Sequence, residues 1–214
     1  MYFKDEEMEA KTKSIYIVLT RTNSCLSNAI HTILQDQYTH AAISLDSGLE
    51  YMFSFARRKA SNPFVGCFKH ECLDGDFYAR HDVLPGTVLK LDVTENEYNK
   101  IAADIWHFVL NGHAYEFNVV GMFASAFGFH QKFNDNKFFC SEFVYYILHK
   151  NGICNFNKPR AAVRPQHLLD IKARSIFEGD LLEYIGSQSR CEVENADVLD
   201  TMLPGVLHSL VQTV

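Results

Sequence analysis

No stretch of this 214-residue chain approaches the roughly 18 consecutive apolar residues that a membrane-crossing helix needs, so no membrane span is expected. The start of the chain, Met1 to Glu7, is acidic and lacks a basic segment followed by an apolar one. Nothing there marks the chain for secretion, and the cytoplasm is the expected compartment. Positive charge is scarce as well: Lys and Arg number 20 against 26 Asp and Glu, and no basic stripe is present to bind a phosphate backbone, so nucleic acid is not an expected partner. Cysteine is too sparse for a disulfide scaffold. Cys25, Cys67, Cys72, Cys140, Cys154 and Cys191 read as free thiols in a reducing compartment. Cys67, His70, Cys72 and His81 lack a standard zinc-ligand spacing, and neither a metal nor another cofactor is expected.

What is present is a globular composition, 47% hydrophobic and 13% aromatic, on a length suited to one well-packed domain. The chain divides into a polar leader over 1–12, a domain over 13–185 and a C-terminal amphipathic tail over 186–214. In the tail, Val198, Leu199, Met202, Leu203, Val206, Leu207, Leu210 and Val211 recur at helical spacing, interrupted by Pro204.

Within the domain, the β-branched run Ile15 to Leu19 reads as a buried strand. Ser24 or Ser27 is expected to cap a short helix through Ile30, Ile33 and Leu34. A short alternating strand then opens at His40. Ser47-Gly48 reads as a turn, with Leu49 to Phe55 as the returning strand of a hairpin. From Ala56 to Asp82 no periodicity emerges beyond an irregular strand around Phe64 to Phe68. Thr87 to Val93 is a further strand. Thr94 and Glu97 form a capping box ahead of a helix with the stripe Tyr98, Ile101, Ala102, Ile105, Phe108 and Val109. The segment from Val119 to Phe129 is expected to pack as a short helix, Val163 to Leu169 to form one helical turn, and Phe177 to Tyr184 to form a late edge strand.

One helix carries the chemistry. Phe143, Val144, Ile147 and Leu148 give it an inward stripe and Gly152 closes it, which sets Cys140 at its first turn beside Ser141 and Glu142. The unpaired N–H groups of a helix start favour a thiolate there. His40, on its strand, is the matching base, and together they form a candidate thiol-imidazole pair.

The segments Tyr38 to Asp46, Met52 to Arg57, Phe139 to Val144 and Arg164 to Leu168, taken in order, resemble the circularly permuted branch of the NlpC-type papain-like superfamily. That branch includes the YiiX-like proteins and, more distantly, lecithin retinol acyltransferase. The resemblance spans roughly residues 13 to 185 and places the base ahead of the nucleophile, the reverse of papain. It implies an α+β, permuted papain-like fold in which an antiparallel sheet packs against the nucleophile-bearing helix. It also implies a thiol hydrolase that cleaves an amide or ester in a small molecule, a cell-wall-type peptide or an acyl substrate through a cysteine acyl-enzyme. The alternatives are a non-catalytic binding or regulatory protein, or an acyltransferase, on the same fold.

By the same resemblance Cys140 is the nucleophile and His40 the base, with the third, polar position falling in Met52 to Phe55. A turn centred near Ser47 sets Ser54 opposite His40, so Ser54 is the expected orienting residue and Glu50 its rival on the same strand face. Arg57, just past the hairpin, is a candidate for binding a substrate carboxylate, and the Tyr115 hydroxyl is a candidate for the oxyanion hole.

Overall fold

The computed structural model describes residues 12–21, 31–32, 35–59, 62–73, 75, 78, 81–118, 121 and 136–188. Residues 1–11, the C-terminal stripe, Cys25, Cys191 and most of the expected helices at Ser24 to Leu34 and Val119 to Phe129 lie outside this set.

The Ile15 to Leu19 run forms the buried centre of β1 (Thr12–Thr20). β1 pairs antiparallel on one side with β2 (His40–Ser44), where Thr20 faces His40, and on the other with β5 (Pro85–Thr94). β3 (Met52–Lys59), β4 (Asn62–Glu71) and β8 (Arg174–Asp180) extend this into a six-stranded sheet of order β4-β3-β2-β1-β5-β8, antiparallel throughout. A small parallel pair, β6 (Glu116–Phe117) with β7 (Lys137–Phe138), forms a second sheet packed beside β4. The protein is therefore α+β, with a mostly antiparallel sheet and a few helices.

Alternation along the strands gives the sheet two buried faces. One face contributes Ile15, Ile17, Leu19, Ile43, Phe53 and Phe55 to a core shared with helices α1 (Glu95–Asn111) and α2 (Cys140–Lys150). The other carries Tyr16, Val18, Ala42, Met52 and Val88 against Leu181 and Tyr184 of α3 (Leu181–Gln188) and against Leu73, Tyr78 and Leu84 from the segment between β4 and β5. The capping box of α1 is formed: Glu97 N–H donates to Thr94 Oγ1 at 3.2 Å and Thr94 N–H to Glu97 Oε2 at 2.8 Å. Its stripe is buried through Phe108, whereas Val109 is exposed. At the other end of α2, Gly152 adopts a φ of 74°, a left-handed conformation suited to glycine, and Ile153 N–H reaches back to the Leu148 carbonyl at 2.9 Å.

Three expected boundaries move. β4 runs for ten residues and ends at Glu71, longer than the strand expected near Phe64 to Phe68, and the expected irregularity is present as a register shift against β3 between Arg57 and Lys59. The edge strand stops at Asp180 rather than Tyr184, because Asp180 Oδ1 accepts the Leu182 N–H at 3.1 Å and starts α3; the same oxygen accepts the Leu84 N–H at 2.9 Å. The hairpin after β2 is wider than a Ser47-Gly48 turn. The Asp46 carboxylate gathers the N–H groups of Glu50 at 3.0 Å and Tyr51 at 2.7 Å, and β3 begins only at Met52.

Candidate active site

His40 opens β2, an inner strand fixed from the β1 side by the Thr39 N–H to Thr20 carbonyl bond at 3.0 Å. Cys140 is the first residue of α2. The preceding Phe139 is extended (φ −113°, ψ 173°), its carbonyl accepts the Phe143 N–H at 3.0 Å, and the Ser141 hydroxyl ties the helix start to the Val163 carbonyl at 2.7 Å. These anchors bring the Cys140 sulfur close enough to the His40 imidazole for the two groups to act on one another. The thiol is buried, with 5% of the residue exposed.

On its far side His40 meets a carboxylate from two strands away. Nε2 lies 3.2 Å from Glu71 Oε1 and 3.1 Å from Oε2. An ionised carboxylate only accepts, so Nε2 carries the proton and Nδ1 is left for the sulfur. Glu71 is fixed in turn by the Tyr78 hydroxyl, which donates to Oε2 at 2.5 Å. The result is a continuous chain of side chains: Tyr78, Glu71, His40, Cys140.

The charges in this chain support one another. Burial alone would push the His40 imidazole down, but the Glu71 charge and the hydrogen bonds to Cys140 and Glu71 outweigh it and carry it up to about 10. Burial likewise opposes ionisation of Glu71. The His40 charge, the bonds from His40 and Tyr78, and the nearby Lys69 nevertheless hold its carboxyl below the ordinary value. Tyr78 is pushed well above the usual phenol range by burial and by the Glu71 charge, so its hydroxyl remains a donor.

Two residues on from Cys140, Glu142 accepts a hydrogen bond from Arg160 Nε at 3.0 Å. The Arg160 guanidinium also lies over the Phe138 ring, 4.5 Å from its centroid, which joins the start of α2 to β7.

The expectation for the orienting residue is corrected. β2 and β3 are paired at Ile43↔Phe53 and Ser44↔Met52, two residues off the register that would set Ser54 opposite His40. Ser54 is fully buried and donates to the Ala41 carbonyl at 2.7 Å, serving backbone at the edge of the ladder instead of the imidazole. Glu50 does not hold His40 either: its N–H is bound by Asp46, its carbonyl accepts from His70, and it is exposed. Tyr115 does not belong to an oxyanion hole. Its hydroxyl is 3.1 Å from His107 Nε2 and feels Tyr146 and Lys150, at the opposite end of α2, about 15 Å of helix from Cys140. Arg57 is in β3 opposite Gly66, and its side chain lies outside the described residues.

Sequence reasoning missed Glu71 and Tyr78. An available signal was the alternation Val65, Cys67, Lys69, Glu71, which places a carboxylate at the end of a strand face; Tyr78 carried none, because its position depends on turns. No protein-family model matches the chain, and no curated protein or solved structure matches it.

Proposed function

We propose that the protein is a thiol hydrolase that cleaves an amide or ester through a cysteine acyl-enzyme, on a permuted papain-like fold. The observation that carries this reading is the alignment of Cys140, His40 and Glu71, with the imidazole beside the thiol on one side and hydrogen-bonded to a buried carboxylate on the other. The fold assignment is supported by the chain order, base strand before nucleophile helix, and by the antiparallel sheet packed on that helix.

In the proposed reaction His40, raised to about 10, already holds the Cys140 proton on Nδ1 as an imidazolium paired with the thiolate, and the thiolate attacks the substrate carbonyl. The helix-start N–H of Cys140 faces the oxyanion that forms. Glu71 stabilises the imidazolium and holds the ring's orientation, the role a third residue plays in such triads. As the tetrahedral intermediate collapses, the imidazolium returns its proton to the leaving amine or alcohol. His40 then takes a proton from water, whose oxygen attacks the thioester carbonyl and releases the acid. With a carboxylate at the third position, the site has the charge that a serine there would have lacked.

Iodoacetamide labelling followed by peptide mass spectrometry at mildly acidic pH tests the reading. Cys140 is expected to react at least about tenfold faster than Cys67, Cys72 and Cys154, and His40→Ala to remove that advantage. A Cys140 slower than the exposed Cys72, or indifferent to His40→Ala, would sink the hydrolase.

A further inference from the structure

We infer that Tyr78 is a positioning residue of the Cys140 site, holding Glu71 ionised and oriented behind His40; the inference rests on the reading of Cys140 as nucleophile. Tyr78 does not come from the sheet. It is carried on consecutive turns after β4, in which Gly75 N–H bonds the Cys72 carbonyl at 3.0 Å, Tyr78 N–H the Gly75 carbonyl at 2.9 Å and His81 N–H the Tyr78 carbonyl at 2.9 Å. The ring is buried with 3% exposed, in the apolar cluster of Val18, Ala42, Met52 and Leu84. A phenol there must aim its hydroxyl at a polar group, and this one is 2.5 Å from Glu71 Oε2. That distance is in the range of a hydroxyl donating to a charged oxygen.

The chemical consequence follows from where the negative charge sits. Glu71 Oε2 faces His40 Nε2 at 3.1 Å, so a carboxylate made more basic could draw the Nε2 proton across and quench the ion pair. A hydroxyl donated to the same oxygen stabilises the anion and keeps that proton on the ring. The groups facing Glu71 are His40 from β2, Tyr78 from the turn segment and Lys69 from its own strand, with Cys140 of α2 close enough to Tyr78 to act on its hydroxyl. Tyr78 therefore acts on catalysis through Glu71.

The experiment is the rate of Cys140 alkylation by iodoacetamide against pH in the full chain, for wild type, Tyr78→Phe, Glu71→Gln and the double variant. Tyr78→Phe removes one oxygen atom and is expected to move the acidic limb up by about one pH unit and to slow the plateau several-fold. In the E71Q background the same change should add nothing further. A residue that merely packs would lower the melting temperature and leave the profile in place; that outcome overturns the inference while the reactive wild-type Cys140 preserves the hydrolase reading. An unreactive wild-type Cys140 overturns both. Should Tyr78→Phe not fold, wild type labelled with ¹³Cζ-tyrosine decides: the Tyr78 resonance is expected to shift along the acidic limb, and a resonance that ignores it overturns the inference.

Discussion

Glu71 and Glu142 are both carboxylates with 2% exposure and a cationic partner, yet burial wins at one and loses at the other. At Glu142, burial raises the carboxyl above its ordinary value, and Arg160, with the Phe139 N–H and the Asn118 side chain, recovers only part of the cost. At Glu71, both oxygens face the His40 N–H, Tyr78 adds a hydroxyl, Lys69 adds charge, and the carboxyl is held down. At equal exposure the balance between burial and the converging charges falls on opposite sides. The carboxylate behind His40 is the one whose partners outweigh burial; the other braces the start of a helix.

The sharpest way to break this comparison is to make each carboxyl an amide and time the alkylation of Cys140. Glu71→Gln is expected to slow the reaction by about a hundredfold, and Glu142→Gln by less than about tenfold. Equal losses would mean that both residues serve only to place the helix. Stability should separate them too. At mildly acidic pH, urea denaturation is expected to show a loss of about 3 kcal/mol for Glu71→Gln, which strands a buried imidazolium, and of about 1 kcal/mol for Glu142→Gln.

The pH dependence sharpens the contrast further. The folded His40 lies at about 10, above its ordinary 6.5, so its contribution to stability is full below about 6.5 and lost as pH rises through 10. Glu71, held below its ordinary 4.5, contributes above that value and loses its contribution as pH falls through its lower folded value. Glu142, shifted upward, runs opposite to Glu71, its contribution lost as pH rises through its folded value. Urea midpoints followed with pH should therefore decline on the alkaline side in wild type, and Glu71→Gln should flatten that decline. A decline of the same size in both proteins would place its origin elsewhere. The smallest effect belongs to Ser54→Ala, expected to cost about 1 kcal/mol for the lost bond to the Ala41 carbonyl with alkylation rate unchanged.

Much of this was legible in local pattern. The Ile15 to Leu19 run, the Thr94 to Glu97 capping box and the stripe following Cys140 are signals contained within a few residues, and each became the expected element. The His40 and Cys140 pairing was legible because strand start and helix start are both local features. The third residue was not. Its identity depends on the sheet order β4-β3-β2, which lets the end of β4 serve β2, and no sequence periodicity states which strands are neighbours. The error at Ser54 has a similarly physical origin: the Asp46 side chain widened the loop that was read as a two-residue turn, and a two-residue change of register left the face correct and the partner wrong. Likewise the boundary at Asp180 turned on one capping oxygen shared between two elements.

The order of these residues along the chain also governs the order in which they are made during synthesis. Five of the six strands of the main sheet, with His40, Glu71 and Tyr78, precede Cys140 in sequence. Translation therefore makes the His40 imidazole, the Glu71 carboxylate and the Tyr78 phenol before the Cys140 sulfur, so the thiol is made after the side chains it meets in the folded site.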